Sequence, residues 1–112
     1  MVIKGRTDTH GLGYYSIRPQ DIIYAEQDRE YFAIHYGANE PVKVHGTTKE
    51  ADKLLPFLVR IQRTYLVNLG HISSVHSRVG RQIDVVFRNG VKINFIKSEI
   101  HHDKFMEQYE KI

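Results

Sequence analysis

The dipeptide Asn89-Gly90 separates two runs of alternating apolar and polar residues, RQIDVVF (81–87) and VKINFI (91–96). Alternation with a period of two marks a strand that buries one face, and Asn-Gly tolerates the positive φ angles of a tight turn. The chain is therefore expected to fold back here as an antiparallel hairpin with a type I′ turn. Ile83, Val85 and Phe87 share one face of it, as do Val91, Ile93 and Phe95, while Gln82, Asp84, Lys92 and Asn94 take the other. That arrangement predicts one face in the core and one in water.

The same texture recurs along the chain. Strand-like runs are read at Tyr14–Arg18, DIIYAE (21–26), YFAIHY (31–36), PVKVH (41–45) and ISSVHS (72–77), with polar or turn-forming residues between them. Their β-branched and aromatic content predicts a mainly β fold with antiparallel pairing. Two helices interrupt it. Thr47-Thr48-Lys49-Glu50 has the form of a capping box, and Pro56 ends the short helix expected near 47–55. A second helix is expected near 98–110, with Ser98 as its N-cap and Ile100, Phe105, Met106 and Tyr109 as a ragged apolar stripe. Gly11-Leu12-Gly13 reads as a loop.

At 112 residues, without repeats or low-complexity linkers, the chain is expected to be one domain, 1–112. It has no cysteine, which excludes disulfides and thiolate metal sites. No run is apolar for long enough to suggest a membrane span or a signal peptide, so a soluble cytoplasmic protein without membrane insertion is expected. The net charge of +3 is unevenly spread: residues 1–56 carry −1, residues 57–97 carry +6 and residues 98–112 carry −2. A central basic segment with acidic flanks suits either a polyanion or a solvated sheet edge.

Catalytic and metal chemistry find little support. His101 and His102 project about 100° apart on a helix, unlike the i, i+4 pair of a helical zinc site. No carboxylate cluster completes a ligand set from the seven histidines, so no metal and no cofactor is expected. Ser73, Ser74 and His76 lack the Gly-x-Ser-x-Gly elbow of a hydrolase, and Gly11 and Gly13 lack the context of a phosphate loop. The chain is not expected to be an enzyme.

The most distinctive stretch is FLVRIQRTYLVNLGHI (57–72). Together with Asp21-Ile22-Ile23-Tyr24-Ala25-Glu26, Tyr31 and the Leu-rich helix that follows Gly46, it resembles the LytTR (LytR/AlgR-type) DNA-binding domain of bacterial transcription regulators. The resemblance rests chiefly on Phe57, Arg60, Ile61, Arg63, Tyr65, Leu66, Val67, Asn68 and Ile72, and spans roughly residues 14–110. Gln62 stands where the family usually has His, Thr64 where it has Ser, and Ile96-Lys97 replaces Ser-Arg before the last helix. These departures bear on which bases are read.

The resemblance implies an elongated set of antiparallel sheets whose loops, rather than a recognition helix, enter the grooves of double-stranded DNA. Carried over by position, the contacts would be Arg29 and Tyr31 in the loop 27–31, Arg60, Gln62, Arg63, Thr64 and Asn68 in the segment 60–68, His71, and the Lys97–Ser98 turn. The residue types suit those roles. Arginine can donate to two acceptors of guanine, glutamine can donate to N7 and accept from the N6 amino group of adenine, and lysine, threonine and a helix N-terminus suit phosphate oxygens. Tyr65 is expected to fill the core, and the Asn68 amide to hold a turn.

The resemblance further implies two similarly oriented half-sites, a domain that is monomeric when free and pairs on DNA, and a regulatory protein partner. Such domains usually follow a receiver domain; none precedes residue 1, so a stand-alone regulator and a part of a longer one are both compatible. Two other readings compete. One is a β module for RNA or single strands, with Tyr14, Tyr15, Tyr31 and Phe32 as stacking surfaces. The other is a cytosolic protein-interaction module that partners a membrane sensor.

Overall fold

The computed structural model describes residues 1–96 and 102–111. Ten strands run β1 (Val2–Thr7), β2 (Gly11–Ser16), β3 (Ile22–Asp28), β4 (Tyr31–Tyr36), β5 (Val42–His45), β6 (Val59–Gln62), β7 (Tyr65–Val67), β8 (Ile72–Ser77), β9 (Gln82–Phe87) and β10 (Lys92–Ile96). Helix α1 (Thr48–Leu54) follows β5, and helix α2 (His102–Glu110) follows β10. Strands β2-β1-β5-β4-β3-β7-β6 form one sheet and β10-β9-β8 a second, with every pairing antiparallel. The molecule measures 42 × 25 × 23 Å. It is mainly β and elongated, as the sequence suggested. The expected N-cap Ser98 and the apolar Ile100 lie outside the described residues.

The long sheet has a core on each side. On one face Ile22, Ala25, Phe32, Ile34, Val42 and Leu66 pack with Ala51 and Leu55 of the α1 segment. Among the described residues the opposite face is covered at the β3-β7-β6 end, where Ile23, Ile61 and Val67 meet Ile83, Val85, Phe87 and Phe95 of the second sheet and Phe105 of α2. A bulge in β3 between Ile22 and Tyr24 makes this two-sided packing possible. It turns Ile23 and Tyr24 toward the same core, while Ile22 and Ala25 face the other. Tyr24 then stacks on Phe87 at 5.4 Å, and Tyr65 meets Phe95 edge-on at 5.1 Å. Helix α1 starts as the sequence predicts, with the Thr47 N–H donating to Glu50 Oε2 at 3.2 Å.

Three local expectations are corrected. The Asn89-Gly90 turn is not type I′, because Arg29 is the one non-glycine with positive φ among the described residues. Instead Arg88, Asn89 and Gly90 form a three-residue loop: Gly90 N–H donates to Phe87 O at 2.9 Å, and Gly90 takes φ 91°. Asp84 is not on a wet face. It is 7% exposed, because Asn94 Nδ2 donates to its Oδ1 at 2.9 Å and Arg78 Nε lies 3.7 Å from its Oδ2. Gly11-Leu12-Gly13 is not a loop but the start of β2. Its partner β1 was not expected at all, and the two pair from Val2↔Ser16 to Thr7↔Gly11.

Candidate nucleic-acid interface

Strand β3 ends at Asp28, which pairs with Tyr31, so Arg29 and Glu30 are the two residues of a tight hairpin loop. Arg29 has φ 59°. Positive φ at the first position of a two-residue loop is where glycine is usual, and a side chain there costs about 1–2 kcal/mol. Gln27 holds the loop in shape, its Nε2 lying 2.7 Å from Arg29 O, 3.0 Å from Tyr31 O and 3.0 Å from Gly46 O. Gly46 N–H in turn donates to Glu30 O at 2.8 Å.

Beside this loop lies a second one of the same kind. Gln62 pairs with Tyr65, which leaves Arg63 and Thr64 at the tip of the β6–β7 hairpin. Gln27 N–H donates to Thr64 O at 2.8 Å and joins the two tips. The Arg63 side chain is exposed and makes no hydrogen bond or ion pair among the described residues. Arg60 is the opposite case. Its side chain is 19% exposed and donates to Asp52 Oδ1 at 2.8 Å, Thr48 O at 3.3 Å and Arg63 O at 2.7 Å. It ties α1 to the turn that presents Arg63.

Arg29, Tyr31, Arg60, Gln62, Arg63 and Thr64 therefore gather along one edge of the long sheet. Asn68 and His71 do not. Asn68 Nδ2 donates to Ile22 O at 2.8 Å, its Oδ1 accepts from Gly70 N–H at 3.1 Å, and His71 Nε2 lies 2.6 Å from Gln20 O. Those backbone groups sit at the start of β3, and a seven-residue strand separates its ends by roughly 20 Å. Asn68 thus holds a turn, as its residue type suggested. Lys97 and Ser98 lie outside the described residues.

Between the loop edge and the second sheet, Glu26 accepts from Tyr65 Oη at 3.0 Å with Oε2, and its Oε1 lies 3.0 Å from His35 Nε2. Tyr24 stacks on the His35 ring at 4.2 Å. Burial, reinforced by the Glu26 carboxylate, pushes the Tyr65 hydroxyl up to about 12 and raises Tyr24 as well. These side chains form a hydrogen-bonded and stacked floor beside the loops.

The sequence pattern of the LytTr DNA-binding domain matches residues 13–109. The chain belongs to that family. The LytTr match runs from within β2 into α2 and includes both hairpin tips. Among curated proteins no sequence matches. Among solved structures, a LytTr DNA-binding domain from Bacillus cereus superposes with a TM-score of 0.76 at 16% identity, over 99% of this chain and 97% of that one. This LytTr chain is a DNA-binding domain. No helix among its described residues is long and apolar enough to cross a membrane.

Nothing in the sequence singles out Gln27, whose side-chain amide reaches three carbonyls, two in its own hairpin and one at Gly46. A lone glutamine at a strand end gives no signal in composition or period. Its role depends on Gly46, nineteen residues away.

Proposed function

We propose that this LytTr domain reads double-stranded DNA sequence-specifically with the paired hairpin tips, as part of a transcription regulator. The observation that carries this reading is the exposed Arg63 guanidinium at a two-residue tip whose backbone is braced by Arg60. A pre-positioned arginine fork suits the O6 and N7 acceptors of guanine in the major groove, and an adjacent glutamine such as Gln62 suits adenine. Arg29 and Tyr31 on the neighbouring tip, with Thr64, serve as sugar–phosphate contacts that set the register. Lys97 and Ser98 provide a phosphate contact before the last helix. Family membership supports two similarly oriented half-sites, a free domain that is monomeric and pairs only on DNA, and control by a protein partner.

The test is selection of a duplex from a random pool, followed by titration of Arg63→Ala and Lys97→Ala on the selected and a scrambled sequence. Arg63→Ala should lose about 1–3 kcal/mol on the selected site and less on the scrambled one. Lys97→Ala should weaken both alike and lower the salt slope by about one unit. Equal losses for Arg63→Ala on both sequences would make Arg63 a backbone contact. Preferential binding of single strands or RNA would overturn the duplex reading.

A further inference from the structure

Among the described residues the second core draws no buried residue from β2, β1, β5 or β4, which leaves that part of the long sheet without the second sheet against it. On this face lies a depression of about 300 Å³ that carries the side chains of Lys4, Arg6, Lys43 and His45, with Leu12 and Tyr31 at its sides. Arg6, Tyr31 and Lys43 also border an adjoining depression of about 660 Å³ that holds Glu26, Asp28, Arg29 and Glu30, so the positive charge is concentrated on the β1–β5 side. Arg6 and Lys43 are directly opposed across β1 and β5. Like charges in that register destabilise a sheet unless an anion lies between them. Lys4 and Arg6 have no hydrogen-bond or ion-pair partner among the described residues. The acids that reach the other two are loosely held: Asp8 stands 3.6 Å from Lys43 and is 82% exposed, and Glu30 stands 3.5 Å from His45 and is 72% exposed. Exposed pairs of this kind contribute little and are readily exchanged for another anion.

Tyr31 connects the depression to the hairpin tips. It meets the His45 ring edge-on at 5.3 Å, and it follows directly on the Arg29–Glu30 loop. From β1 to β6 the sheet order is β1-β5-β4-β3-β7-β6, five inter-strand steps. At about 4.8 Å each these steps place the β1 cations roughly 24 Å from β6, and the β5 cations, one step nearer, roughly 19 Å from it, about the length of six to seven base pairs. We propose that the depression lined by Lys4, Arg6, Lys43 and His45 is a second anion site, which holds backbone phosphates of the same duplex whose bases Arg63 reads. This rests on the DNA-binding reading above. The site makes no base contact and lengthens the footprint toward β1, adding affinity that is independent of sequence. Primary structure conceals it, because its cations come from the segment 1–56, whose net charge is −1.

The test uses the whole chain and a duplex selected by it, about 24 base pairs long. The variant Lys4→Gln/Arg6→Gln/Lys43→Gln should melt no lower than the parent, since it removes a directly opposed pair of like charges. Its salt slope should fall by about 2 units, at about 0.9 for each phosphate released, with base preference unchanged. Hydroxyl-radical protection should disappear at one end of the footprint and persist around the bases that depend on Arg63. If the triple variant keeps the parent's slope and footprint while Arg63→Ala weakens binding, the second site is refuted and the DNA-binding reading stands. If the parent selects no duplex, both fall. A variant unchanged on duplex that has lost binding to a poly-glutamate peptide would refute the phosphate site and mark the face as one for acidic proteins.

Discussion

Arg60 Nη1 donates to the backbone carbonyl of Arg63 at 2.7 Å, so the first arginine of the basic motif fixes the turn on which the second is displayed. Three acceptors on two elements share the Arg60 guanidinium, whereas the Arg63 guanidinium is exposed. The two residues should therefore fail differently. Arg60→Ala leaves Asp52 and two carbonyls without their donor and should cost about 1–3 kcal/mol of stability. Arg63→Ala should stay within about 0.5 kcal/mol of the parent. Both should weaken DNA binding. Lysine at 60 cannot reproduce the planar fork and should restore stability only in part. Thermal unfolding alongside fluorescence anisotropy separates the two; equal melting temperatures for the two alanine variants would deny Arg60 its bracing role.

Arg29 sits at φ 59°, where glycine would be relaxed. Under the proposed function that strain is offset by the contact its side chain makes with DNA. Arg29→Gly should raise stability by up to about 1 kcal/mol, the relief of strain being partly offset by the freer unfolded chain. The same variant should bind duplex less tightly and with a shallower salt slope. A glycine variant that binds like the parent would show that the loop backbone, not the guanidinium, meets the DNA.

The parts of this fold that were legible in sequence are those whose signals are local. The β9–β10 hairpin, α1 and the β3 and β4 strands were read from period, capping and turn residues. Strand β1 was not, because two of its inward positions are Gly5 and Thr7 rather than apolar residues. The reason is proximity: a Cβ on Gly5 would lie 2.6 Å from Val42 Cγ1 and 2.8 Å from Lys43 O. The interface was legible as a motif but not as an arrangement. Sequence neighbours Arg63 and Asn68 are carried to opposite ends of the sheet by β7, while Arg29 and Thr64, far apart in sequence, are brought together through Gln27. Asp84 likewise reads as a surface carboxylate until Asn94 and Arg78 are placed over it.

Tyr65 offers a pH test of the floor beside the loops. Its hydroxyl is pushed up to about 12 by burial and by Glu26, above the ordinary value of 10.0. A raised folded-state value means that the folded protein keeps its proton where the unfolded chain loses it. The associated stability is fully present below pH 10 and is lost as pH rises toward 12. Alkaline titration should thus show stability declining across that window, with Tyr65 keeping its proton well above pH 10 or until unfolding. Tyr65→Phe should flatten the decline. An unchanged alkaline limb in that variant would assign it to other tyrosines, Tyr24 first.

Gln27 links the two hairpin tips to each other and to Gly46. Its backbone N–H reaches Thr64 O at 2.8 Å, and its Nε2 is shared by the carbonyls of Arg29, Tyr31 and Gly46. Its Oε1 is buried and makes no hydrogen bond among the described residues, so the amide is held by its donor end alone. Glutamate has nearly the same shape and no donors. Gln27→Glu would set a carboxylate against three carbonyl oxygens and should cost about 1–3 kcal/mol or more, as expected for a buried polar network that loses its donor. The damage should be local to the edge. Hydrogen exchange at Tyr31, Gly46 and Arg63 should accelerate, while amides of β9 and β10 keep their protection. DNA affinity should fall although every candidate contact residue is intact. Gln27→Ala, which removes the donors without adding charge, should show the same pattern in milder form. If both variants exchange and bind like the parent, the two hairpin tips hold their shape without Gln27, and its place at their junction is incidental.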